Sequence, residues 1–81
     1  MAVRHLGEKG AEEFARILER YFGCTLKYSP RKTAIKVRRH SAGRFYGQAL
    51  HRNTRFHTGL QRAVLHKLGF SDDEIDARYP R

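Results

Sequence analysis

Histidine can take up or release a proton near neutral pH without help from its surroundings, and His40, His51, His57 and His66 all fall in one region of this sequence. That region, from Arg20 to Ser71, contains no aspartate or glutamate. The carboxylates that could orient an imidazole stand at the two ends of the chain, at Glu8, Glu12, Glu13 and Glu19 and at Asp72, Asp73, Glu74 and Asp76. Without an orienting partner, the histidines are expected to be solvent-exposed, part-time cations. The spacing of His51, His57 and His66 matches no metal-ligand pattern, and basic surroundings repel cations, so neither a metal nor a cofactor is expected. Cys24 is the single cysteine, which excludes an internal disulfide and suits a reducing compartment.

Charge supplies the stronger signal. The 81 residues carry 17 Lys and Arg against 8 acidic residues, a net charge of +9. Surfaces normally mix both signs. A long stretch of one sign predicts a strong positive field once folded, whose natural partner is a polyanion, nucleic acid above all. Lys36, Arg38, Arg44, Arg52, Arg55 and Arg62 are the candidate phosphate contacts. Such residues position a nucleic-acid backbone without reading its sequence. Thr58 and Gly59, with Leu60, open a helix whose free N–H groups add an anion site. Acidic neighbours that would neutralise this patch are expected to be absent. No apolar run approaches the roughly 20 residues of a membrane span, and Met1 to Leu6 lack a signal-peptide core. The expected location is cytoplasmic, with no membrane partner.

Hydrophobic periodicity sets the elements that would position these groups. Ala11, Phe14, Ala15, Leu18, Tyr21 and Phe22 recur at helical spacing, predicting a helix over 8–22 that stops at Gly23. Cys24 to Tyr28 reads as a strand, and Ser29 to Lys32 as a turn. Thr33 to Arg39 reads as a second strand, with Ala34, Lys36 and Arg38 on one face and Ile35 and Val37 on the other. His40 to Gly43 forms a hairpin turn with positive φ at Gly43. Arg44 to Leu50 is a third strand anchored by Phe45 and Tyr46, with a bulge expected at Gly47. His51 to His57 is read as a basic loop. A helix over 58–68 buries Leu60, Val64 and Leu68, flanked by Ala63 and Leu65, and exposes Gln61, Arg62, His66 and Lys67. Ser71 to Glu74 has capping-box spacing and starts a short last helix. Phe45, Tyr46 and Phe56 have the π-faces that single-strand binders use, but are expected in the core. Tyr21, Tyr28 and Cys24 are likewise read as packing. The predicted fold is α+β, in the order α-β-β-β-α, with a three-stranded antiparallel sheet, both main helices on one face and a short C-terminal helix. One domain spans 1–81, with an ordered core over about 8–76.

Several pieces together resemble a known family. Arg39-His40-Ser41-Ala42-Gly43-Arg44, His51-Arg52-Asn53, Gly59, and the run from Arg62 to Ser71 look like the HicA (YcfA-like) family, the toxin half of a bacterial toxin–antitoxin pair. The resemblance covers roughly Glu12 to Ile75. It implies a fold like a double-stranded-RNA-binding domain, metal-free cleavage of mRNA, and a HicB-like antitoxin as partner. It departs from the family at one position. The family's catalytic histidine closes a Gly-Ser-His motif at the start of the second strand, and the matching stretch here is Thr33-Ala34-Ile35. Ile35 cannot move a proton, and metal-free RNA cleavage needs a base for the 2′-hydroxyl and an acid for the leaving oxygen.

Two functions fit these observations. The first is a HicA-like RNA-binding module, a divergent or degenerate endoribonuclease that cleaves RNA feebly or not at all. The second is a phage or mobile-element inhibitor that docks its basic face on another protein or nucleoprotein complex.

Overall fold

In a computed structural model, residues 7–28 and 33–80 are described. The turn expected over Ser29 to Lys32 lies outside them. Helix α1 spans Ala11–Phe22 and buries Ala11, Phe14, Ala15, Leu18 and Phe22, the three-and-four spacing of a single stripe. Gly23 ends it at φ 67°, a left-handed turn that a side chain disfavours. The helix starts three residues later than its acidic first turns suggested. Lys9–Gly10 instead forms a short strand, β1. Gly10 is held extended at ψ 164°, because this segment pairs antiparallel with Arg55–Phe56.

The main sheet contains β2 (Thr25–Tyr28), β3 (Ala34–Ser41) and β4 (Arg44–His51), antiparallel and in that spatial order. The β3–β4 turn is confined to Ala42 and Gly43, both at positive φ, 51° and 75°. Two positive φ values in a two-residue loop match the right-handed twist of the flanking strands. Pairing then runs unbroken from Ser41↔Arg44 to Ala34↔His51. The expected bulge is absent, and Gly47 pairs directly with Arg38. Ile35, Val37 and Leu50 face the helices and are fully buried. Ile35 is therefore a core residue.

The segment read as a basic loop contains a strand, β5 (Arg55–Phe56), the partner of β1. Phe56 is buried with its ring 5.3 Å from Phe14, so the segment is fixed by packing as well as pairing. Helix α2 follows over Thr58–Lys67 and buries Gln61, Val64 and Leu65, with Leu68 buried just beyond. Ala63 is exposed. Gln61, expected on the polar side, is fully buried. Its Nε2 donates to the Phe56 carbonyl at 2.8 Å and to the Gly7 carbonyl, and its Oε1 accepts from the Tyr79 hydroxyl. A buried amide is tolerated because all of these bonds are made.

Helix α2 ends in a Schellman motif. Phe70 N–H donates to the Leu65 carbonyl and Gly69 N–H to that of His66, both at 3.0 Å. Gly69 is required twice over. Its φ is 89°, and a Cβ there would lie 2.7 Å from Arg39 Nη1 and 2.8 Å from the Tyr46 ring. Helix α3, Asp72–Arg78, opens with the complete capping box: Glu74 N–H donates to Ser71 Oγ and Ser71 N–H to Glu74 Oε1. The result is the expected α+β architecture, with helices packed on one face of a three-stranded antiparallel sheet and a short C-terminal helix. The added feature is the β1–β5 ribbon. Among the described residues, no helix is long and apolar enough to cross a membrane.

Candidate nucleic-acid interface

Strand alternation and register decide what the face away from the helices presents. On β3 it carries Lys36, Arg38 and His40. Thr25 and Lys27 stand beside them on β2, opposite Arg38 and Lys36. Phe45, Gly47 and Ala49 stand on the other side on β4, opposite His40, Arg38 and Lys36. The three strands contain no acidic residue. This face is therefore uniformly cationic, with one aromatic ring. Phe45, expected in the core, is 55% exposed. The two-residue turn forces this outcome, because it places Phe45 across from His40 and on the same side as Arg38.

Around Phe45 lies a shallow depression of about 300 Å³, with Gly47 and Ala49 exposing backbone and small side chains between Lys36, Arg38 and Phe45. The Phe45 ring is held from two sides. The His40 ring meets it edge-on with centroids 4.8 Å apart, and the Arg38 guanidinium carbon lies 5.8 Å from its centroid.

Of the residues picked from sequence, Lys36 and Arg38 meet on this face. Arg44 is exposed at the hairpin end, opposite Ser41, on the alternate side of the sheet. Arg52 lies past the end of β4, its guanidinium carbon 5.9 Å from the Tyr28 ring. Tyr28 and Tyr21 are 47% and 43% exposed, so neither is the core residue expected, whereas Cys24 is buried. Arg55 and Arg62 have acidic partners despite the acid-free stretch around them in sequence. Glu8 Oε2 lies 3.2 Å from Arg55 Nη2, while Arg62 reaches Asp72 at 3.2 Å and Asp76 at 2.9 Å. Folding brings the acidic ends of the chain back against these two positions. Thr58 and Gly59 open α2 as expected, but the Leu60 N–H beside them donates to His57 Nδ1 at 3.2 Å, which occupies part of the expected anion site.

The histidines are dispersed. His40 belongs to the open sheet face, His51 ends β4, His57 caps α2, and His66 lies on α2 with Nε2 2.7 Å from Asp72 Oδ1. His66 thus has the carboxylate partner that its sequence neighbourhood lacked. Among the described residues, no three His, Cys, Asp or Glu side chains cluster to hold a metal ion.

Arg39, the remaining arginine of β3, points the other way. Its Nη1 donates to the Leu68 carbonyl at 2.6 Å and its guanidinium carbon lies 3.9 Å from the Phe70 ring centroid. A cation at a helix C-terminus opposes the negative end of the dipole. Arg39 therefore fastens α2 to the sheet. Compared with family models, curated proteins and solved structures, the chain matches none.

Proposed function

We propose that this protein binds RNA through the open face of its sheet. The observation that carries this reading is the placement of Lys27 on β2 beside Lys36 and Arg38 on β3, in a three-stranded sheet whose strands lack any acidic residue. Aligned cations without counter-charges suit a phosphate backbone. Binding without rapid cleavage is the second part of the proposal. Ile35 is fully buried at the position where the resemblance would put a catalytic histidine, and the described histidines are spread over β3, β4 and the two ends of α2. A cytoplasmic setting accords with the unpaired thiol of Cys24.

The test is titration of a labelled RNA oligonucleotide in chelator at several salt concentrations, followed by a gel for cleavage. About three phosphate contacts predict a log–log salt slope of about −2 on a single strand. Lys36→Glu and Arg38→Glu should weaken binding strongly and Arg62→Glu much less, because Arg62 already has acidic partners. Absence of binding at low salt overturns the proposal and leaves docking on another protein as the reading of the basic face. Robust metal-free cleavage overturns its second part.

A further inference from the structure

The depression beside Phe45 has a property that phosphate binding alone does not require. Phe45, 55% exposed on a charged sheet, keeps about half of its apolar surface in water in the free protein. Here the ring is also held in place, edge-on to His40 and beneath the Arg38 guanidinium. The neighbouring positions on its strand are Gly47 and Ala49, so no large side chain stands over that part of the sheet. A Cβ at Gly47 would come within 3.6 Å of the Phe45 ring, so a bulky residue there would crowd the same space. The features combine a flat aromatic surface, a low floor and a row of cations, Arg38 and Lys36, leading away along β3.

We infer that Phe45 is a stacking site for one unpaired nucleobase, with Arg38 and then Lys36, successive residues of the same face of β3, holding the phosphates that lead away from it. This rests on the RNA-binding reading and adds to it a preference for single strands. Every base has a π-face, so such a site is tolerant of sequence. A duplex keeps its bases stacked on one another and offers none to Phe45. The occupant is nucleic acid rather than a protein surface because a row of cations leads to a single ring instead of an extended apolar patch.

The chain contains no tryptophan, so Phe45→Trp places the only indole at the site, excited selectively over the four tyrosines. The probes are oligouridylate, oligodeoxythymidylate and a blunt-ended RNA duplex of equal length. Oligouridylate should quench the indole emission of the Phe45→Trp variant as it binds, and the duplex should not. Phe45→Ala should weaken oligouridylate binding about 5- to 100-fold, the range set by loss of one base–aromatic stack. The salt slope should stay unchanged, because no charge is removed. Phe45 is exposed, so the fold should tolerate both variants. The inference fails if wild-type protein binds oligouridylate in a Lys36-dependent way while Phe45→Ala has no effect. It also fails if Phe45→Ala weakens single strand and blunt-ended duplex equally. If wild type binds no RNA at low salt, this inference and the parent reading fall together. Oligodeoxythymidylate offers the same stacking face. Tighter binding of it than of oligouridylate would uphold stacking and overturn RNA as the partner.

Discussion

The guanidinium of Arg39 lies 3.9 Å from the ring centroid of Phe70, and the same group donates to the Leu68 carbonyl at the end of α2. One side chain thus joins the middle strand of the sheet to the second helix through a cation–π contact and a helix-end hydrogen bond.

Arg39→Lys should therefore destabilise the protein despite conserving charge. A lysine loses the planar stacking surface and cannot reproduce the fork that also reaches Ser41 Oγ at 3.3 Å. The expected loss is about 1–3 kcal/mol, read as a lower denaturant midpoint with an unchanged slope. Arg38→Lys, on the open face, should change stability by less than about 0.5 kcal/mol. Equal effects at the two positions would show that Arg39 is no anchor.

The bond between Tyr79 and Gln61 gives a second prediction. The Tyr79 hydroxyl donates to Gln61 Oε1 at 2.7 Å in a buried setting. Gln61→Leu keeps much of the volume but leaves the Tyr79 hydroxyl and the Phe56 and Gly7 carbonyls without this partner. It should cost about 3 kcal/mol. Tyr79→Phe removes one donor and should cost about 1 kcal/mol. Thermal or denaturant melts give the order, and a larger loss for Tyr79→Phe would contradict it.

Alkaline pH should loosen the fold. Burial pushes the Cys24 thiol from its ordinary 9.0 up to about 11, against an opposing pull from Arg39 and Arg78. Burial also raises the Tyr79 hydroxyl from 10.0 to about 12, with a further push from Glu13. Both groups hold their protons longer when folded. Their contribution to stability is complete below the unfolded values and declines as pH rises from about 9 towards 12. Stability measured from pH 7 to 11 should be flat at first and then fall, and Cys24→Ala should shallow the fall. At pH 7 native Cys24 should react with a thiol reagent far more slowly than in urea, since it is both buried and protonated. Equal rates would contradict this account.

The parts of the structure that follow strict periodicity were legible in the sequence. Phe14, Leu18 and Phe22 marked the first helix, Ile35 and Val37 the inner side of the middle strand, and Ser71 with Glu74 the last capping box. Lys9–Gly10 and Arg55–Phe56 escaped because two-residue strands carry no period, and what defines them is each other. Phe45 reads as core on hydrophobicity alone, whereas strand register decides its side of the sheet. With the turn restricted to Ala42 and Gly43, counting outward would have put it beside Arg38. Arg39 was one cation among many in the sequence, and only its contacts with Phe70 and Leu68 distinguish it. The pairing of Arg55 and Arg62 with distant acids could not be read from local charge, since folding brings the ends of the chain to the middle.

The β1–β5 ribbon bears on the order in which the chain can assemble. The β3–β4 hairpin closes over Ala42 and Gly43 alone, so its strands meet early and at little entropic cost. The ribbon joins Gly10 to Arg55 across more than half of the chain, and its short ladder cannot repay so long a closure by itself. Docking of Phe56 on Phe14 supplies the remaining drive, which makes the ribbon a late latch set after α1 has found the sheet. A chain emerging from the ribosome can form α1 and the hairpin first, but must wait for residues beyond Phe56 before its N-terminal segment is secured.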